Sequence, residues 1–170
     1  MKRPATTPRL LTVSTCTLLL LVTCATRAGA DPSDDEFALN GTFFAVSDGQ
    51  YAKTNDRFHD EATVTSTWTI TTDCADFEDC TGTVRSDQGW TADIQYAGRL
   101  WKVVRDLPDW EHCPDGSTAP GTQKYTFALD DNYPPNVLVG FDRTVGPSGA
   151  CGVNQWLDVA MPFTLTKTRP

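Results

Sequence analysis

The chain has 170 residues, 14 of them basic and 22 acidic, and its formal net charge is −8 at pH 7. This length suits one domain, and a negative field repels nucleic acid and anionic membranes. We therefore expect no nucleic-acid partner.

The N-terminus predicts a signal peptide over residues 1–30. Three basic residues precede an apolar stretch at 10–22, and the small-residue motif AGA ends at Ala30. The stretch is shorter than the roughly 20 residues that span a bilayer. We expect cleavage between Ala30 and Asp31, and no transmembrane segment in the mature chain.

A lipoprotein is the alternative at this end of the chain. Cys24 follows Leu21 by three residues, as in a bacterial lipobox, but Thr23 stands where that motif has Ala, Gly or Ser. We therefore expect a secreted or cell-envelope protein released by cleavage, with lipidation at Cys24 as the competing outcome.

Loss of the leader makes the chain more acidic. It removes four basic residues and no acidic one, so 10 basic and 22 acidic residues remain and the formal charge becomes −12. Residues 31–39, DPSDDEFAL, have little apolar pattern and predict a flexible acidic segment. Residues 40–170 are expected to form a single β domain.

Strand patterns follow one another from residue 40 onward. TVTSTWTIT, GWTADIQYAG, KYTFALD and LDVAMPFTL alternate inward apolar and outward polar residues, and shorter candidates are GTFFAVSDG, TGTVRSD, RLWKVVRD and VLVGFDRT. Turn residues separate these runs, and helical spacing is not sustained. The pattern predicts an all-β antiparallel meander of about eight strands, as a barrel or a partly open barrel or sandwich. Because Pro162 interrupts the last run, we expect a bulge or an open edge there.

Six aromatic residues at inward positions form a candidate apolar pocket: Trp68, Trp90, Tyr96, Phe127, Phe141 and Phe163. An eight-stranded barrel either fills with side chains or leaves room for one small ligand. The bulky rings favour filling, whereas Ser66 and Ala92 on the same faces leave space beside them. A ligand held there is expected to be a small apolar envelope molecule.

Four cysteines remain in the mature chain. Cys74 and Cys80 enclose five residues that a hairpin-end loop can close, which leaves Cys113 to pair with Cys151. An even number in an exported chain predicts disulfides, and the spacing is unlike that of a zinc site. We expect two disulfides that staple the β domain, and no metal or cofactor.

Catalytic candidates are weak. GPSGACG places Ser148 between glycines, as in serine proteases, and the EHC motif contains His112. Such enzymes need two barrels and a longer chain, and Pro147 stands where an aspartate precedes the nucleophile, so a turn is expected instead. His59 lies beside two acidic residues in a polar stretch. We expect no catalytic residue and no enzyme activity.

The cysteine and tryptophan pattern resembles a known family. STWTITTDCADFEDCTGTV, GRLWKV, DWEHCPDGS and GPSGACGVNQWLDVAMPFTLTK are similar to a family of small exported actinobacterial proteins of unknown function, many of them mycobacterial. The same plan resembles extracellular β domains of some bacterial Ser/Thr kinases. The resemblance implies export and a β fold, and it transfers no catalytic residue.

Two classes of function follow from these observations. The first is an exported, non-catalytic binding or interaction module, with an extracellular protein or a small apolar ligand as partner and an acidic charge that disfavours polyanions. The second is a small hydrolase that uses His59 or His112, and a purely structural envelope protein is a third alternative. We expect the binding module, as a monomer.

Overall fold

The structure is a computed structural model that describes residues 38–76 and 79–168. The predicted signal peptide, its cleavage site and Cys24 lie outside these residues. Strands dominate the described chain: β1 (Gly41–Ser47), β2 (Lys53–Thr54), β3 (Arg57–Phe58), β4 (Val64–Asp76), β5 (Asp79–Ser86), β6 (Thr91–Ala97), β7 (Leu100–His112), β8 (Thr118–Leu129), β9 (Val137–Val145) and β10 (Asp158–Lys167). Short 3-10 turns lie at Gly49–Tyr51 and Ala150–Gly152.

Eight of these strands form a closed antiparallel barrel. Each strand from β4 to β10 pairs with the next, and β1 pairs with β4 on one side and with β10 on the other. The last pairing joins Phe43 to Lys167 and Ser47 to Phe163, so the sheet has no seam between its first and last strands. The prediction of an all-β meander of about eight strands is confirmed, and the barrel is closed. Strands β2 and β3 add a small flap against β10.

The interior contains most of the residues that alternation placed there. Ser66, Trp68 and Ile70 of β4 are buried, and the threonines between them face outward or lie half-buried. Met161, Phe163 and Leu165 of β10 follow the same period. Burial of one face on every strand is the main stabilising contribution in such a barrel.

Phe141 departs from the prediction, because it lies outside the barrel with 58% of its surface exposed. Its neighbours Gly140 and Asp142 take the inward side of β9. Gly140 stands opposite Phe127 and Phe163, and a Cβ at Gly140 would lie 1.9 Å from the carbonyl oxygen of Thr126. The backbone of β8 therefore passes too close to Gly140 for any side chain at that position, which fixes the register and turns Phe141 to the outer face.

Pro162 lies at the point where β10 stops pairing with β1 and begins to pair with β2. Strand β10 pairs with β1 from Phe163 to Lys167 and with β2 only at Val159 and Ala160. The Pro162 carbonyl accepts from the Asp48 backbone N–H at 2.8 Å, which places the proline nitrogen on the same side, at the gap between β1 and β2. Its missing N–H therefore costs no ladder bond. Pairing with β9 continues across Pro162 without a bulge, and on the other side of β10 the proline lies at a local gap in the pairing, not at an open edge of the sheet.

Two disulfides staple the fold, in the pairing expected from the spacing. Cys74–Cys80 closes the end of the β4–β5 hairpin, where the two residues stand opposite each other. Cys113–Cys151 ties the tip of the β7–β8 hairpin to the loop between β9 and β10. The described residues contain no helix that is both long and apolar enough to cross a membrane.

Candidate functional site

The barrel has two different ends. The apolar mouth is the end at which β1 begins and β10 terminates, and the polar mouth is the opposite end. Each opens into a cavity, of about 540 Å³ at the apolar mouth and about 630 Å³ at the polar mouth. Volumes of this size suit a small ligand.

The apolar mouth is walled by apolar side chains from several strands of the barrel. Phe43 and Leu138 are buried at its base, and the Tyr96 and Trp101 rings lie beside each other with centroids 5.2 Å apart. Leu129 reaches the opening and is 66% exposed. Such a concave, mostly apolar surface is typical of a small-molecule site.

Two cationic side chains lie at the rim of this opening. Arg99 and Lys167 line the cavity, and both are exposed. Arg99 occupies the two-residue β6–β7 turn with Gly98, and both have positive φ, of 66° and 62°, as in the turn type that suits a hairpin. The tight turn holds the arginine backbone at the rim of the mouth.

The polar mouth contains a chain of hydrogen bonds around a buried carboxylate. Asp142, only 1% exposed, accepts from Ser47 Oγ at 2.7 Å and from Gln123 Nε2 at 2.8 and 2.9 Å. Gln123 Oε1 in turn accepts from Arg105 Nε at 2.7 Å. The Arg105 guanidinium also stacks 4.3 Å from the Trp90 ring centre. Four strands are thereby joined through one network.

Burial controls the titration of this network. Loss of solvent around Asp142 raises the pKa of its carboxyl above the ordinary 3.8, although the bonds from Ser47 and Gln123 and the charge of Arg105 act in the opposite direction. Burial also raises the pKa of the Tyr125 hydroxyl, and the nearby Asp142 carboxylate adds to that effect. Tyr125 therefore stays neutral over the physiological range.

A hairpin arm projects beside the polar mouth. Strands β7 and β8 lose their regular register between Leu107 and Glu111, and the arm beyond this point carries Trp110. A Cβ at Gly121 would lie 2.6 Å from the Trp110 ring and one at Gly146 would lie 3.1 Å from it, so both glycines make room for the indole. The arm is therefore seated by packing as well as by its disulfide.

The six residues of the candidate apolar pocket are divided among four places. Trp68, Phe127 and Phe163 are buried in the core, and their ring centroids lie 5.3–6.4 Å apart. Half-buried Trp90 belongs to the polar end through Arg105, half-buried Tyr96 lines the apolar mouth, and Phe141 is outside. Ser66 does not leave space either, because its hydroxyl accepts from Trp68 Nε1 at 2.9 Å.

The catalytic candidates are not brought together by hydrogen bonds. His59 is exposed and pairs with Glu61 at 3.0 Å, whereas His112 is exposed on the hairpin arm. Ser148 Oγ lies 3.5 Å from Asn154 Oδ1, and within residues 38–76 and 79–168 it forms no bond to a histidine. The same ranges contain no group of three or more potential metal-ligating side chains.

Sequence reasoning missed the residues that give the two mouths their chemistry. Asp142 and Gln123 lie in strands whose large apolar residues are predicted to face inward, and that pattern gives no indication of a buried polar network. Arg99 follows Gly98 between two predicted strands, and a position after such a turn residue is a usable signal for a residue at a barrel end. Lys167 gave no such signal, because only barrel closure places it beside Phe43.

Comparison with known proteins supports the fold. No family model and no curated protein matches the chain. Among solved structures, it is similar to the sensor domain of PknI from M. tuberculosis in its monomer form, with a TM-score of 0.56 and 15% sequence identity. The alignment covers 77% of this chain and 88% of that domain. The likeness supports the resemblance to kinase extracellular domains at the level of fold, and the family of small exported proteins gains no support from it.

Proposed function

We propose that this chain is an exported, non-catalytic binding module that holds a small ligand with an apolar body in the apolar mouth. The observation that carries the proposal is the cavity of about 540 Å³ between Phe43, Tyr96, Trp101 and Leu138. Its walls belong to a closed barrel, so the surface exists before a ligand arrives and little ordering is needed on binding. The neighbour with this fold is a sensor domain, which is consistent with such a role.

Export is part of the same proposal. Two disulfides suit an oxidising compartment, and the sequence before residue 31 has the features of a cleavable leader. Intact-mass analysis of protein recovered outside the cytoplasm should give a chain that starts at Asp31 and has lost four hydrogens to two disulfides. A lipid adduct on Cys24 would contradict cleavage at Ala30.

Occupancy of the apolar mouth is tested by filling it. Leu129→Trp places a larger ring at the opening and should weaken binding of the uncharged fluorophore N-phenyl-1-naphthylamine by about tenfold or more, corresponding to roughly 1.4 kcal/mol. Leu129 is 66% exposed, so the substitution leaves the core intact. Fluorescence titration measures the affinity directly.

Val153→Trp is the matched control for this titration. Val153 is 55% exposed and lies in the loop between β9 and β10, at the opposite end of the barrel. It should bind the fluorophore as the unchanged chain does. Equal affinities for all three proteins would place the fluorophore elsewhere and contradict the proposed site.

No contact among the described residues favours the hydrolase alternative. Glu61 holds the exposed His59, and His112 has no hydrogen bond to a hydroxyl group that could act as a nucleophile. We therefore base the proposed function on binding alone.

A further inference from the structure

We propose that the ligand of the apolar mouth is a single-chain amphiphile with an anionic headgroup, which Arg99 and Lys167 bind at the rim. This inference rests on the proposed function and adds the charge of the ligand. The acidity of the whole chain argues against an anionic ligand at first sight, since the chain contains 22 acidic and 14 basic residues. The local charge at this mouth has the opposite sign.

The described residues that line the mouth include two basic ones and no acidic one. Among the described residues, the Arg99 guanidinium has no hydrogen bond or ion pair, and the Lys167 ammonium has no ion pair. In a chain with an excess of carboxylates, two unpaired cations at one opening provide a local site for an anion.

The backbone fixes both cations at the edge of the apolar wall. Lys167 N–H donates to the Asn136 carbonyl at 2.9 Å, which holds the end of β10 at the mouth. The Lys167 Cε atom would lie 3.7 Å from a Cβ at Gly41, and its Nζ lies 6.0 Å from the centre of the Phe43 ring. The aliphatic stem therefore covers apolar surface while the ammonium remains in solvent.

Arg99 approaches from the other side of the opening. Its turn follows Tyr96 and precedes Trp101, which are the two rings that wall the cavity. A ligand whose chain lies against these rings places its polar end at the level of the turn. A mostly apolar cavity with charge at its rim selects an amphiphile over a fully polar anion, because the apolar lining offers few partners for further polar groups.

The headgroup is tested by displacement of N-phenyl-1-naphthylamine with dodecanoate, dodecyl phosphate and uncharged dodecanol. Dodecanoate or dodecyl phosphate should bind about three- to tenfold more tightly than dodecanol, a size expected of two exposed ion pairs. Their relative affinities identify the carboxylate or the phosphate as the preferred headgroup. The advantage should shrink as salt is added, whereas dodecanol binding should not weaken.

Arg99→Gln combined with Lys167→Gln should remove the advantage of the anionic amphiphiles and leave dodecanol binding unchanged. The matched control is Arg57→Gln with Lys124→Gln, which changes the net charge equally at two exposed residues outside the mouth. The control variant should still bind the anionic amphiphiles more tightly than dodecanol. If net charge alone caused the preference, both double variants would lose it.

The outcomes separate this inference from the proposed function. Equal affinity for dodecanol and the anionic probes overturns the headgroup assignment and leaves an apolar site in place. Failure of every probe to displace the fluorophore overturns both. A third outcome is that anionic probes bind only after Asp34, Asp35 and Glu36 are changed to their amides. In that case the chain's own acidic segment pairs with Arg99 and Lys167, and the inference is wrong.

Discussion

Asp142→Ala should lower the free energy of unfolding by about 2–4 kcal/mol, since it leaves buried donors without an acceptor. Ser47 Oγ and Gln123 Nε2 both donate to this carboxylate, and both residues are buried in the barrel wall. The substitution also removes the free-energy cost of burying the carboxylate, but this gain offsets only part of the loss. Urea unfolding of the variant and the unchanged chain measures the difference.

Asp142→Asn is the matched variant, because it keeps the shape and one acceptor oxygen but cannot ionise. Burial raises the pKa of Asp142, so the folded chain holds this proton to a higher pH than the unfolded chain. The free energy of unfolding should therefore fall as pH rises from the ordinary aspartate value through the folded pKa. The asparagine variant should lack this part of the fall. A larger loss of stability with asparagine than with alanine at neutral pH would contradict this account.

Replacing Cys113 and Cys151 together by alanine should lower the free energy of unfolding by about 4 kcal/mol, mainly by freeing the unfolded chain. The bond joins residues 38 apart, and a loop of that length restricts the unfolded ensemble strongly. The same relation gives roughly 2 kcal/mol for the six-residue separation of Cys74 and Cys80. Denaturant titration measures both changes.

The two cysteine pairs also differ in what their removal does locally. Cys113 and Cys151 are half-buried at the edge of the polar mouth, so their loss leaves the main core intact. Cys80 belongs to the core, and its removal adds a packing loss to the entropic one. Limited proteolysis should therefore cleave the hairpin arm first in the Cys113/Cys151 variant. An arm that stays resistant would mean that Trp110, packed against Gly121 and Gly146, is sufficient to hold it.

The strand pattern predicted the barrel because alternation is a local property. Trp68 and Ile70 face inward in β4, as do Phe163 and Leu165 in β10, and each strand carries this information in its own sequence. The same rule failed at Phe141, where a close approach of β8 to Gly140 decided the facing. A contact between strands cannot be read from the sequence of one of them.

The chemistry of both mouths was harder to predict for a related reason. Asp142 appeared as one more acidic residue in an acidic chain, and only the fold places Gln123 and Ser47 around it. Lys167 is close to Phe43 through a pairing between distant parts of the chain. Cysteine spacing was informative because the Cys74–Cys80 loop is short, and the remaining pair followed from it.

Closure of the sheet through β1 and β10 has a consequence for the order of assembly. Phe43 and Lys167 become neighbours only after almost the whole described chain is available, whereas the hairpins from β4 to β9 use nearby residues. Bringing such distant residues together is entropically costly and slows folding. During synthesis, the consecutive hairpins can therefore form first, and the two edges of an incomplete sheet remain open until β10 emerges. Those edges are the part of the nascent chain most prone to pair with other molecules.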